Sequence, residues 1–381
     1  MSRALWLRRT LVGLISVAAA VGAWQAARES LALAAAKQAL GERDAGAARA
    51  ALRIQPLDAP ALRDLALARG GTGAGMVGGV TGDAARANLA LLKLADRVSR
   101  RDYGTQLLLL EANAAAGDVP GTLRHYDVLL AGVPSSAADL FKVLVPALAL
   151  PEVQAGVLAY KDREWFVGLV EAVAAQPAAA DPGAAGMALT LARRAGLLTK
   201  SEPRDRLAPR LITALVAAGQ TEAAWALAGQ IGAPRWSDVN FASPTRDERL
   251  GAFAWRLTAT PSASAEWREG DTLAVSVEPG RLVEVAARIT RLAAGPHRLS
   301  LGFAVPSAPG AGIEWRVRCL GQEGSDFAVT ALPPPAEPTT HQEVIAIPEG
   351  CPFQAWSLWA EGADAQTASH ATLSQLTVRG S

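Results

Sequence analysis

The sequence predicts a multidomain chain: one apolar N-terminal segment, then a helical region, then a β-sandwich. Three observations carry this. Residues 10–27 run 18 positions without a charge. Leucine and alanine then recur at helical spacing as far as about residue 232. Beyond it, short alternating segments take over, and six of the ten tryptophans (Trp236, Trp255, Trp267, Trp315, Trp356 and Trp359) lie there. The expected domains are therefore 1–28, 29–232 and 237–381, with Gly232-Ala233-Pro234 marking the break.

The N-terminal segment decides the compartment. Arg3, Arg8 and Arg9 precede the uncharged run. As a helix that run spans about 27 Å, close to the roughly 30 Å of a bilayer core. Arginines before a span hold the N-terminus in the cytoplasm. The bulk of the chain is then expected in the periplasm of a bacterium, on a single-pass inner-membrane anchor. A cleaved signal peptide is the alternative, with Ala18-Ala19-Ala20 or Val21-Gly22-Ala23 as the small-residue site, giving a secreted or periplasmic protein. Either way, cytosolic cofactors such as ATP and NAD are not expected.

Composition narrows the rest. The formal net charge of +1 offers no field for nucleic acid. Of the two cysteines, Cys319 and Cys351, neither has a histidine at ligand spacing, so in an exported chain a disulfide is the simplest expectation. No metal site is expected.

Within the helical region, helices are expected over Asp83–Arg101, Gln106–Ala116 and Arg210–Ala218. Gly73, Gly75 and Gly78 satisfy G-x-G-x-x-G, but Ala61–Arg69 before them reads as helix where a dinucleotide site needs a strand. A flexible interhelical loop is expected instead. Ala115-Ala116-Gly117-Asp118 ends one helix, Leu123, Tyr126, Leu129 and Leu130 line the next, and Pro134 closes it. Ala217-Ala218-Gly219-Gln220 with Ala223-Ala224 has the same shape, and Ala39-Leu40-Gly41 to Pro56 is a shorter copy. These residues resemble tetratricopeptide repeats, with Gly117, Asp118, Tyr126 and Pro134 at the family's mutual spacing. The period is irregular, and a generic helical bundle is the competing reading. The resemblance implies a protein partner on the helices.

The last region reads as about eight or nine strands in a two-sheet sandwich. Ile313–Cys319 alternates without a break, as do Leu273–Val277 and Leu299–Phe303. Phe253–Thr258, Leu282–Ile289, Glu343–Ile347, Trp356–Ala360 and Leu373–Val378 are the other candidates. Turns are expected at Glu269-Gly270-Asp271, Pro279-Gly280, Pro309-Gly310 and Pro333–Pro335. The region is expected to fold alone.

Asn240-Phe241 followed by Phe253-Ala254-Trp255 resembles the opening of galactose-binding-like jelly rolls, which include many carbohydrate-binding modules. Trp315-x-x-x-Cys319 and Gly350-Cys351-Pro352-x-Gln354 resemble a variant appended to membrane-anchored tetratricopeptide-type bacterial proteins. The family opening often carries Glu after Asn-x-Phe, near a calcium. Here Ala242 stands in that place. The two resemblances together imply a role in making or exporting a cell-surface polysaccharide.

No catalytic constellation is present: there is no Gly-x-Ser-x-Gly elbow and no His-Glu-x-x-His. The chain is expected to be non-catalytic and without cofactor. Tryptophans offer flat partners to the C–H faces of sugars. Trp267, just before a turn, and Trp359, before Glu361-Gly362, are the candidate sugar contacts at sandwich edges. Arg316 and Arg318 point away from Trp315 and are candidates for an acidic sugar; a solvated face is the alternative. Trp315 and Trp255 are expected in the core. A pure protein-binding scaffold without glycan is the competing function, and an envelope enzyme the third.

Overall fold

A computed structural model describes residues 45–70, 83–304, 312–321, 326–332, 338–363 and 368–380. The proposed membrane segment at 10–27, the first repeat's opening at 39–41, the glycine-rich motif and the turns at 309–310 and 333–335 lie outside these residues. Among the described residues no single helix is long and apolar enough to cross a membrane. The chain divides into two compact units, Met1–Phe166 and Val167–Ser381.

The described part of the first unit is helical: α1 (Ala45–Ile54), α2 (Ala59–Gly70), α3 (Asp83–Val98), α4 (Tyr103–Ala115), α5 (Val119–Gly132), α6 (Ala137–Ala147), α7 (Pro151–Val157) and the start of α8 (Glu164–Ala174). Asp102 caps α4, accepting from the Thr105 amide at 2.9 Å, and Arg63 of α2 reaches the same carboxylate at 2.8 Å. An N-cap carboxylate satisfies an amide that the helix itself leaves unpaired. Gly117 turns α4 into α5 at φ +71, and the Asp118 amide donates back to Asn113 O at 2.9 Å. This six-to-one bond needs a left-handed residue at the helix end, which glycine adopts without strain. Leu123, Tyr126 and Leu130 of α5 are buried, and Leu109 of α4 packs with Ala66 and Leu92 of α2 and α3.

A buried polar chain links α3, α4 and α5. Gln106 donates to Asp96 at 2.7 Å, and its oxygen faces His125 Nδ1 at 2.6 Å. His125 Nε2 lies 3.0 Å from an Arg124 nitrogen that can only donate. The imidazole therefore accepts at Nε2, donates from Nδ1, and is neutral. Burial first, and then Arg124, push its pKa below the usual histidine range.

The second unit continues α8 and adds α9 (Ala184–Arg194), α10 (Ser201–Ala217) and α11 (Thr221–Ile231). Gly219 sits between α10 and α11 at φ +72, again with a six-to-one bond from Gln220 to Leu215. Ala224 is fully buried. These helices belong to the same compact unit as the sheets. Trp225 of α11 packs against Trp236, Phe253 and Phe353 at ring distances of 4.5, 5.2 and 5.8 Å.

Two five-stranded antiparallel sheets follow, in the orders β1-β4-β9-β6-β7 and β2-β3-β10-β5-β8. Their strands are β1 (Arg256–Leu257), β2 (Ala263–Arg268), β3 (Thr272–Val277), β4 (Leu282–Thr290), β5 (Gly295–Ala304), β6 (Gly312–Cys319), β7 (Ala328–Leu332), β8 (Thr339–Ile347), β9 (Gln354–Glu361) and β10 (Ser369–Gly380). Inward residues of both sheets form one core around Trp255, Trp315, Trp356, Phe303, Leu301, Leu358 and Leu373. The Cys319–Cys351 disulfide is present. One expected strand is corrected. Instead of a strand over Phe253–Thr258, 3₁₀ turns on either side of a kink at Gly251 occupy Glu248–Phe253, and Arg256–Leu257 pairs with β4. Asp247 caps that segment, and Gly251 takes φ +54, where an added Cβ would meet the Pro209 carbonyl at 2.6 Å.

One charge lies inside the second unit. Arg288 faces inward from β4 and is only 1% exposed. It donates to the carbonyls of Asp238 and Trp236 at 2.6 and 2.7 Å. Burial pushes its pKa down to about 9, so it is still cationic at neutral pH.

Candidate functional site

β9 alternates strictly. Gln354, Trp356, Leu358 and Ala360 face the core, while Ala355, Ser357, Trp359 and Glu361 face out. Two tryptophans three residues apart must fall on opposite faces of a strand. Trp356 is therefore core, and Trp359 stands half-buried on the outer face. β9 is the central strand of its sheet, so Trp359 lies mid-sheet. It is therefore not on an edge strand, although along β9 it stands two residues from the strand's end at Glu361. Pairing with β4 and β6 continues past it to Glu361.

Pairing sets its surroundings. Glu284 of β4 and Glu314 of β6 lie opposite Trp359, and Arg316 lies opposite Ser357. The Arg316 guanidinium carbon sits 4.5 Å from the centre of the Trp359 ring. Arg316 Nε donates to Glu314 at 2.5 Å, and that bond raises the guanidinium further above its usual range. Trp359 Nε1 donates to Ser357 Oγ at 3.0 Å. Arg318 is exposed on the same face, opposite Ala355, with no carboxylate partner among the described residues. Towards the other end of β4, Ala287 and Ile289 share this face but are buried, which bounds the open area to the part around Trp359.

Trp359 and Arg316 are thus brought together, with Arg318 beside them. Trp267 does not join them. It belongs to β2, at the edge of the other sheet, and faces inward with Ala263 and Ala265. Its ring packs 5.5 Å from Phe241 and is covered by Arg246 at 4.2 Å, which leaves it a half-buried closure of the core. Glu284, Glu314 and Ser357 are members of the cluster that sequence reasoning missed. For Glu314 the signal was present, since it alternates outward beside inward Trp315. Glu284 needed the irregularity between Glu284 and Ala286, which no pattern announces.

The cluster can present a flat indole and guanidinium surface flanked by acceptors. A stacked cation over an exposed ring contributes only about 0.5–1 kcal/mol, so a ligand can move Arg316 aside at small cost. The hydroxyl of Ser357 and the carboxylates of Glu284 and Glu314 suit hydroxyl partners. Among the described residues no group of three or more His, Cys, Asp or Glu could hold a metal ion.

A second surface lies in the first unit. An apolar cavity of about 190 Å³ is lined by α4, α5, α6 and α7, including Leu110, Leu123, Val143, Leu150 and Val153. Val143 and Leu150 are more than half exposed there.

No protein-family model and no curated protein matches the chain. Solved structures similar to part of it include the carbohydrate-binding module TmCBM61 in complex with β-1,4-galactotriose. It has 14% identity and a TM-score of 0.27, covering 37% of this chain and 99% of that one. A family 16 carbohydrate-binding module has 18% identity and a TM-score of 0.24, covering 33% and 90%. The enzymatically active domain of tailspike protein 4 from bacteriophage CBA120 has 11% identity and a TM-score of 0.27, covering 37% and 21%. At these scores the likeness carries no inference about a ligand, which rests on the side chains.

Proposed function

We propose that this chain is a non-catalytic, membrane-anchored envelope protein that binds glycan on the outer face of the β1-β4-β9-β6-β7 sheet. It would assist the synthesis or export of a cell-surface polysaccharide. The observation that carries the reading is Trp359, a half-buried indole on the outward face of the central strand, beside Glu284, Glu314, Arg316 and Ser357. A tryptophan there does nothing for the core, which Trp315 and Trp356 already fill, and it offers a sugar a stacking partner within reach of polar groups. The carboxylates beside the ring favour a neutral sugar over the indole, with Arg318 left for an acidic substituent further along.

The anchor at residues 10–27 and the periplasmic location of the rest are part of this proposal, motivated by Arg3, Arg8 and Arg9 before the apolar run. A periplasm-dependent reporter fused after Ser381 should be active. Activity of a cytoplasm-dependent reporter at that point would overturn the envelope reading.

Glycan binding is tested by titrating the full chain with neutral and acidic surface polysaccharides. Trp359→Ala should weaken binding about tenfold or more while changing stability by about 1 kcal/mol or less, since the ring is outside the core. No saturable binding by any polymer would instead favour a scaffold that holds protein alone, a reading supported by the exposed Val143 and Leu150 of the helical cavity. Tetratricopeptide-like packing of the helices around that partner belongs to the same proposal.

A further inference from the structure

The first unit contains a second, chemically different concavity. About 300 Å³ is lined by Arg100, Arg101 and Tyr103 from the α3–α4 turn, by the C-terminal half of α5 from Asp127 to Val133, and by Arg163. Three guanidinium groups face one carboxylate, Asp127. That carboxylate is buried and already engaged, accepting from Arg163 at 2.9 Å and from Trp165 Nε1 at 3.0 Å. The adjacent Asp102 is taken by Arg63 and by the α4 cap, so it does not neutralise the turn. Arg100 and Arg101 are exposed and have no carboxylate partner among the described residues.

We infer that this pocket binds a small organic anion, of monosaccharide size, through a carboxylate or phosphate held by Arg100 and Arg101. The volume is at the lower end of small-molecule sites. Guanidinium forks match the geometry of both anion types and hold them in paired hydrogen bonds. Val128, Leu129, Ala131 and Val133 supply an apolar wall, and the part-exposed Tyr103 adds a ring and a hydroxyl. Arg163, steadied by Asp127, is placed to close the charged end. Two neighbouring arginines repel each other in the empty pocket, and an anion between them removes that repulsion. The site is independent of the sheet platform, and either can fail without the other.

The test is calorimetric titration of the full chain with inorganic phosphate, glucuronate and, as the uncharged control, glucose. Phosphate or glucuronate should bind saturably, glucose should not, and affinity should fall as salt is raised. Binding of glucuronate alone identifies a carboxylate on a sugar-sized body; binding of phosphate alone identifies a phosphate end. The double variant R100A/R101A should lose about tenfold or more in affinity, the scale expected for removing charge-assisted contacts. Both side chains project from an exposed turn, so its melting temperature should match that of the parent chain. R163K, which keeps the charge near Asp127, should lose less. Glucose binding as tightly as the anions, unchanged affinity in R100A/R101A, or no heat from either anion up to about 10 mM (a free energy of less than about 3 kcal/mol) would overturn the assignment.

Discussion

Replacing Trp225 by alanine tests whether α11 and the sheets are one cooperative body. The indole meets Trp236, Phe253 and Phe353 with ring centres 4.5, 5.2 and 5.8 Å away. Truncating a large aromatic in a core costs about 3–5 kcal/mol. Trp225 is only half-buried, which points to the lower end. Three aromatic contacts, each worth about 0.5–1.5 kcal/mol beyond buried area, keep the figure from falling far. A loss of about 3 kcal/mol is expected. For a unit of this size each kcal/mol moves the melting temperature by about 2–4 °C, so the second unit should melt roughly 6–12 °C lower. Differential scanning calorimetry of the full chain reads this directly, and Trp225→Phe should recover more than half of the shift. A loss under about 1 kcal/mol would refute the idea that these rings dock the helix. The same geometry bears on the expectation that the segment from about Trp236 to Ser381 folds alone. That fragment lacks Trp225, which uncovers one side of Phe253 and Phe353. It should be markedly less stable than one beginning at Val167, and should bind a hydrophobic dye.

Other outcomes follow from single features. Reducing Cys319–Cys351 opens a loop of 32-residue separation and should remove about 3–4 kcal/mol by the chain-entropy estimate; denaturant titration with and without reductant measures it, and an unchanged midpoint would contradict it. His125 is held below the usual histidine value, so the unfolded chain binds a proton that the folded chain refuses. Its contribution to stability is complete above about pH 6.5 and is lost as pH falls from there through the lowered folded value. His125→Asn should flatten that acid slope, and an identical slope in the variant would show that other groups set it. A Cβ at Gly251 would sit 2.6 Å from the Pro209 carbonyl, at a φ that side chains disfavour; Gly251→Ala should destabilise by about 2–4 kcal/mol in the same titration, and a neutral result would mean that the 3₁₀ segment can shift away from α10.

Much of the sandwich was legible because β3, β5 and β6 place large apolar residues at every second position. β2 and β7 were not, for a compositional reason. Their inward positions are held by Ala263 and Ala265, and by Ala328 and Thr330. Period two is present, but residues this small and weakly apolar leave no contrast to read. The 3₁₀ segment at Glu248–Phe253 was hidden because its cause is tertiary: Gly251 is bent by its approach to α10. Arg288 was invisible for the same kind of reason. Its place opposite inward Trp356 looks wrong for a charge until the carbonyls of Trp236 and Asp238 are seen to receive it. At the candidate site, the direction of Arg316 and Arg318 followed from alternation alone. Their meeting with Trp359 did not, because it depends on how β6 and β9 align.

That alignment carries a further consequence. The segment Trp356-Ser357-Leu358-Trp359 holds an indole for either side of the sheet, and a slide of β9 by one residue would exchange them, turning Trp359 inward and throwing Trp356 into water. Gln354 stands where such a slide would begin. Buried at the head of β9, it donates to Cys351 O at 2.6 Å and accepts from the Leu292 amide at 2.8 Å. Its pairing partner on β6 is Cys319, whose sulfur is bonded to Cys351. The crosslink and the amide together lock the strand like a ratchet pawl. Which tryptophan the protein shows to its surroundings is thereby decided at the far end of the strand, five residues from the ring itself.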